Sequence, residues 1–211
     1  MTRQSASSPD LAPSTAPSPS SVSYVSGISD LPLKGQTIGD CFDETVSRFP
    51  DQDALISRHQ GLRYRWRELQ DEVNQAARAL LAMGVKKGDR VGIWSPNCAE
   101  WTITQFATAK IGAILVNINP SYRTHELDYA LKQSGTSTLI LQGSFKTSDY
   151  VATLAELAPE LNDVQGAGPL KLAGLPELKR VICLDSAKTL PGQHAWQGLG
   201  RVEADDTLEL G

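Results

Sequence analysis

Gly84-Val85-Lys86-Lys87-Gly88-Asp89-Arg90-Val91-Gly92-Ile93-Trp94-Ser95-Pro96-Asn97-Cys98-Ala99-Glu100-Trp101 fits a helix stop, a turn, a strand and a helix start into eighteen residues. Gly84 is the residue type that follows a helix end, because it accepts left-handed backbone at no steric cost. Lys87-Gly88-Asp89 has turn composition. Residues 90–94 form a short, nearly unbroken apolar run, the pattern of a strand covered on both faces. Ser95-Pro96-Asn97 interrupts it. From Ala99 onward Trp101, Ile103, Phe106, Ala107 and Ala109 return at helical spacing, which predicts a helix over 99–111. A strand that passes into a helix through so short a loop is one unit of an α/β fold. Trp101 is assigned to the core, where truncation to alanine is expected to cost roughly 3–5 kcal/mol.

The same alternation extends both ways. Upstream, Phe42, Val46 and Phe49 share a helical face that Pro50 ends. Runs 54–57 and 62–66 flank Arg58-His59-Gln60-Gly61, a hairpin signal, with Leu62, Tyr64 and Trp66 alternating against Arg63 and Arg65. Leu69, Val73, Ala76, Ala77 and Leu80 mark a long amphipathic helix that Gly84 caps. Downstream, 113–118 reads as a second buried strand, stopped by Asn119-Pro120. A helix over 124–133 has Thr124 as N-cap and Gly135 as C-terminal cap. A third strand covers 138–141, and a helix covers 148–157 with Ser148 and Asp149 near its start. Residues 166–174 are loop, and 178–184 is a fourth strand. The expected fold class is therefore α/β: a mostly parallel sheet with flanking helices, right-handed crossovers and an N-terminal β-hairpin. Ligands of such sheets sit beyond the carboxyl ends of the strands. That rule selects Ser95-Pro96-Asn97 and Asn119-Pro120-Ser121-Tyr122, and makes Asn97, Asn119 and Tyr122 substrate-edge candidates by fold position alone.

Composition bounds the function classes. The 211 residues carry 20 Lys+Arg against 24 Asp+Glu, a net charge of −4. A general nucleic-acid binder is usually basic, so no nucleic-acid partner is expected. No apolar run reaches the roughly 18 residues of a membrane span, and the N-terminus lacks a signal-type apolar core. Cys41, Cys98 and Cys183 are an odd, widely spaced set, which fits a reducing, cytoplasmic setting. Ser and Pro supply 12 of the first 23 residues, so 1–23 is expected to be a disordered tail. A transit peptide is the competing reading, with Arg3 as its only arginine. The body is 24–185, and 186–211 is weakly patterned.

Most catalytic signatures are missing. GxGxxG, GxxxxGK[ST] and GxSxG do not occur, and His59, His125 and His194 are too scattered for zinc. Ser134-Gly135-Thr136-Ser137-Thr138 imitates a phosphate loop but lacks its second glycine and its lysine, so it reads as a helix cap leading into a strand. Eight basic residues against four acidic ones between 57 and 90 suit either a polyphosphate or a solvated face. Cys98 is expected to be a buried, inert thiol.

The ordered set of short motifs resembles the adenylate-forming, AMP-forming acyl-CoA synthetases of the fatty-acyl-CoA ligase type. Leu62-Arg63-Tyr64-Arg65-Trp66-Arg67-Glu68-Leu69 resembles their x-T-Y-x-E-L segment. Residues 84–101 resemble G-x-x-K-G-D-R-V-x-I-x-x-P-N-x-x-E-W. Ala109-Lys110-Ile111-Gly112-Ala113 with Val116-Asn117-Ile118-Asn119-Pro120-Ser121-Tyr122 resembles A-x-x-G-A-x-x-x-x-x-N-P-x-Y. The resemblance runs from about Thr37 to Leu184 and implies an incomplete N-terminal domain of the adenylate-forming fold. It implies an enzyme that joins fatty acid to ATP, releases pyrophosphate, and passes the acyl group to coenzyme A with release of AMP. ATP, Mg²⁺ and coenzyme A are its implied cofactors. The family's Ser/Thr/Gly-rich loop, its aromatic-Gly-x-Thr-Glu segment, its ribose-binding Asp, its hinge and its C-terminal lysine have no counterpart here. No catalytic or metal-binding residue is therefore carried over, and the chain is expected to be inactive alone. A stand-alone α/β module for a small ligand or a partner is the alternative.

Overall fold

A computed structural model describes Gly27, Asp30 and residues 33–164 and 168–197. The expected tail over 1–23 lies outside these residues. The chain divides after Gly35. Of the first unit only Gly27, Asp30 and 33–35 are described, none of them in a helix or strand. The second unit begins at Gln36 and carries the fold.

Its elements are α1 (Ile38–Arg48), β1 (Asp53–Ser57), β2 (Leu62–Arg65), α2 (Trp66–Ala82), β3 (Arg90–Trp94), α3 (Ala99–Lys110), β4 (Ile114–Ile118), α4 (Thr124–Ser134), β5 (Thr138–Leu141), β6 (Ser144–Phe145), β7 (Ser148–Asp149), α5 (Tyr150–Leu157), β8 (Arg180–Cys183) and β9 (His194–Ala195). Short 3₁₀ turns occupy Pro159–Asn162 and Ser186–Lys188. Five strands form one sheet in the order β4-β3-β5-β8-β9, and every pairing in it is parallel. β1–β2 and β6–β7 are separate antiparallel hairpins.

The order explains the two helical layers. The chain steps from β3 to β4 in one direction, then returns past β3 to β5. Right-handed crossovers running in opposite directions place their helices on opposite faces. Accordingly α1, α2 and α3 cover one face with Phe42, Val46, Leu69, Val73, Leu80, Ile103 and Ala107 against Val91, Ile93, Ile140 and Ile182. Helices α4 and α5 cover the other with Leu127, Leu131, Tyr150 and Leu154 against Trp94, Leu139, Leu141, Val181 and Cys183. β5 is buried at all four positions. Ile140 faces one layer and its neighbours Leu139 and Leu141 the other, the period-two alternation of a central strand.

Two arginines close the amino-terminal edge of the sheet. Arg90, first residue of β3, donates from Nε to the Ser134 carbonyl at the end of α4, 3.0 Å. Arg180, first residue of β8, donates to the Met83 carbonyl and, at 2.9 Å, to the Gly84 carbonyl just after α2. Cations there satisfy terminal carbonyls and oppose the negative end of the helix dipole.

Several sequence expectations need correction. Strand 113–118 is not a buried strand: β4 is the sheet's edge among the described residues, Ile118 is its one buried position, and Ile114 is 52% exposed. Trp66 opens α2 rather than closing β2, although the alternation in burial runs through it. Thr124 is the first residue of α4 and Arg123 the N-cap. Thr124 instead donates its hydroxyl to Glu156 at 2.9 Å, and Glu126 accepts from the Arg123 amide at 3.1 Å. Ser148 and Asp149 belong to β7, and α5 begins one residue later. Trp101 is only half-buried; the fully buried tryptophan is Trp94. In the weakly patterned C-terminal region, His194–Ala195 adds a short strand beside β8. Gly135 caps α4 with φ 63°, and Thr138 opens β5, so the Ser/Thr/Gly run is a helix end as expected.

Candidate functional site

Where neighbouring strands send their connections in opposite directions, the loops part and leave a crevice beyond the strand ends. Here β3 and β5 are those strands. Between their exit loops lies a cleft of about 640 Å³, lined by Pro96, Asn97 and Cys98 after β3, Pro120 after β4, and Gln142, Ser144 and Phe145 after β5. His59 and Gln60, from the β1–β2 turn, form the remaining wall.

Buried aromatics hold the floor. Trp94 ends β3 and donates from Nε1 to the Asn119 carbonyl, 3.1 Å. Tyr150 meets Trp94 edge-on, with ring centroids 4.4 Å apart and planes at 69°. The Tyr150 hydroxyl donates to the Pro120 carbonyl, 3.0 Å. The loop after β4 is thus fixed by its backbone carbonyls, through two donors that would otherwise lack partners in the core.

The three predicted edge residues separate. Asn97 is exposed and lines the cleft. Asn119 folds back, its Oδ1 accepting from the Ser121 amide at 2.9 Å in an Asx turn. Tyr122 is half-buried and lines a different groove with His125, Glu126 and Tyr129 on α4. Sequence reading missed Gln142, Ser144, Phe145, His59 and Gln60. Only the strand order reveals that β5 stands beside β3. The hairpin turn was legible as a turn, but not as a wall of the cleft.

Cys98 sits half-buried in the wall, 3.5 Å from the Ser95 hydroxyl, and burial pushes its thiol up from its ordinary value. A protonated thiol is a poor nucleophile, but the group expected to be buried is only half-buried. No disulfide joins it to Cys41 or Cys183. His59 lies 3.4 Å from the Ser57 hydroxyl through Nδ1. Three of the eight basic residues between 57 and 90 are committed to partners: Arg63 bonds Asp53, Arg67 bonds Asp51, and Arg90 is committed to α4. Among the described residues no three His, Cys, Asp or Glu side chains gather as a metal site, so they offer Mg²⁺ no cage of their own. The cleft mixes Pro96, Pro120 and Phe145 with the polar side chains of Gln60, Asn97, Gln142 and Ser144. Its chemistry suits holding a ligand more than transforming one.

The β6–β7 hairpin borders the cleft, and Asp149 anchors it. Its carboxylate accepts from the Ala152 amide at 3.0 Å as the N-cap of α5 and meets Lys188 at 3.2 Å. The Ala152 hydrogen bond, then Lys188, hold its carboxyl below the ordinary value. A depressed folded-state value gives stability that is present above the unfolded value of about 3.9 and is lost as pH falls through the folded one. Asp149→Ala is expected to cost about 1 kcal/mol at neutral pH, the usual worth of an N-cap. The difference from wild type should shrink below about pH 4, measured by urea titrations across pH. A constant difference down to about pH 2 would count against the cap.

The described helices include none long and apolar enough to cross a membrane. The chain matches the family model described as AMP-binding enzyme over residues 42–201. It is 44% identical over 170 residues to the mitochondrial medium-chain acyl-CoA ligase ACSF2 of Bos taurus, and 41% identical over 171 residues to the Homo sapiens protein of that name. Both alignments cover 81% of this chain and 27% of the relative, so the chain spans about a quarter of those proteins' length. The solved N-terminal domain of FACL13 from Mycobacterium tuberculosis superposes with a TM-score of 0.61 at 19% identity, covering 83% of this chain and 38% of that one, a likeness of fold alone. On the family match across most of its residues, supported by these relatives, the chain belongs to the AMP-binding enzyme family.

Proposed function

We propose that this chain is the N-terminal part of an ATP-dependent fatty acid–CoA ligase and has no ligase activity by itself. The observation that carries this reading is the 44% identity to a medium-chain acyl-CoA ligase across 81% of the chain. In the proposed reaction a carboxylate oxygen attacks the α-phosphorus of ATP and expels pyrophosphate. The coenzyme A thiol then attacks the acyl carbon and expels AMP. Mg²⁺ would neutralise charge on the transferring phosphates, in the way such reactions are stabilised electrostatically. The residues of this chain would contribute a wall of the acyl or nucleotide site, through Asn97 and its neighbours on the cleft. A reducing, cytoplasmic location is part of the proposal.

The test is ATP–pyrophosphate exchange with medium- and long-chain fatty acids. The purified 211-residue chain is expected to show none, and a longer product that joins it to the phosphate-binding loop and C-terminal domain of a related ligase is expected to show it. Exchange by the short chain would disprove its inactivity. Absence of exchange from the longer product, with saturable small-ligand binding by the short chain, would favour a stand-alone binding module instead.

A further inference from the structure

Cys98 is the N-cap of α3, yet its side chain makes no capping bond, and a thiol is a weak acceptor. The first amide of that helix is nevertheless satisfied. Ala99, only 1% exposed, donates its N–H to Gln60 Oε1 at 2.7 Å. The cap therefore comes from the β1–β2 turn, 39 residues earlier in the chain.

The Gln60 amide is engaged in three directions. Besides the Ala99 N–H, Oε1 accepts from the Ser57 hydroxyl at 2.6 Å, and Nε2 donates to Glu100 at 2.8 Å. Both acceptor positions and one of the two donor positions are filled. A flipped amide would turn its NH₂ toward the Ala99 N–H and its carbonyl toward the Glu100 carboxylate, so the orientation is fixed by the partners. β1–β2 is not hydrogen-bonded to the five-stranded sheet. Among the described residues, the hydrogen bonds between the turn and α3 all pass through this one side chain.

We propose that Gln60 is a positioning residue of the cleft: its amide pins the hairpin turn to the start of α3 and so fixes where Asn97 and Cys98 stand. The inference rests on the reading of the cleft as a ligand site, but its geometry can be tested without any ligand. Opening the contact would separate the His59–Gln60 wall from the Asn97–Cys98 wall and uncover the Cys98 thiol. The fully buried Cys183, on β8, would be untouched.

The experiment is alkylation of the 211-residue chain by N-ethylmaleimide, followed thiol by thiol by peptide mass spectrometry. Gln60→Ala should speed Cys98 modification about tenfold, the factor by which losing one or two hydrogen bonds shifts a local opening, while Cys183 keeps its rate. Gln60→Glu should also speed it, because two carboxylates then face each other. The exchange Q60E/E100Q keeps all three hydrogen bonds, with the new carboxylate accepting from the Ala99 N–H, the Ser57 hydroxyl and the new amide at 100. It should return Cys98 to within about twofold of wild type. An unchanged Cys98 rate in Gln60→Ala, or a folded exchange variant with unprotected Cys98, overturns the proposal. If Gln60→Ala unfolds so that both thiols react together, the exchange variant decides alone. Loss of ligase activity in any longer protein bears on the functional reading and not on this result.

Discussion

Replacing Trp94 by alanine is expected to lower the unfolding free energy by about 3–5 kcal/mol, the range for truncating a fully buried large aromatic. Trp94 is 0% exposed, in a layer formed by Leu139, Leu141, Leu154 and Val181. Its removal leaves a cavity in a sheet held on both sides by parallel pairing to β4 and β5, so collapse is limited. It also strips the Asn119 carbonyl of its indole donor and Tyr150 of its edge-on partner. Trp94→Phe separates these terms, because it retains an aromatic ring against Tyr150 while losing the hydrogen bond. It should cost roughly 1–2 kcal/mol. Trp101→Ala, at a half-buried site, should likewise cost only about 1–2 kcal/mol. Urea midpoints at constant m-value give the comparison. Trp101→Ala proving as costly as Trp94→Ala would reject the ranking of the two sites.

That ranking shows where sequence reading stops. Both tryptophans lie in the stretch 84–101, and the strand and helix there were legible because apolar spacing distinguishes period two from period 3.6. Period alone does not say which side of a helix faces inward most deeply, so it assigns Trp101 to the core and does not single out Trp94. The same limit governs β4. Its apolar composition matches that of a central strand, and its edge position follows from strand order, which is a property of long-range pairing. The site was half legible for the same reason. Asn97 follows from the rule about strand ends, whereas Gln142, Ser144 and Phe145 need the knowledge that β5 neighbours β3. Asn119 and Tyr122 follow a neighbouring strand too, but local turn chemistry claims the Asn119 side chain, and helix α4 claims Tyr122.

The wall after β5 depends on one close approach, and filling it is the second large effect expected. Gly143 is buried between β5 and Asp185, the second residue after β8. A Cβ added there would lie 2.7 Å from both Cβ and Oδ2 of Asp185. The carboxylate could rotate away only by giving up its hydrogen bond from the Ala187 amide, 3.1 Å. The Asp185 Cβ cannot rotate away at all. It is held by backbone tied to β5 through the Leu184 amide and the Leu141 carbonyl, 2.8 Å. The Gly143 carbonyl in turn accepts from the Tyr150 amide at 3.2 Å, so a shift of this residue disturbs the start of α5 and the neighbouring Gln142 and Ser144 on the cleft. Gly143→Val is therefore expected to destabilise by about 1–3 kcal/mol through overpacking, and Gly143→Ala by the lower part of that range. Asp185→Gly removes the atoms in conflict. In a double-mutant cycle G143A/D185G should be more stable than the sum of its single changes by more than about 0.5 kcal/mol, the limit within which independent sites add. Additivity within that limit, measured by equilibrium denaturation, would show that the two residues do not press on each other and that Gly143 is not what sets the spacing between the exits of β5 and β8.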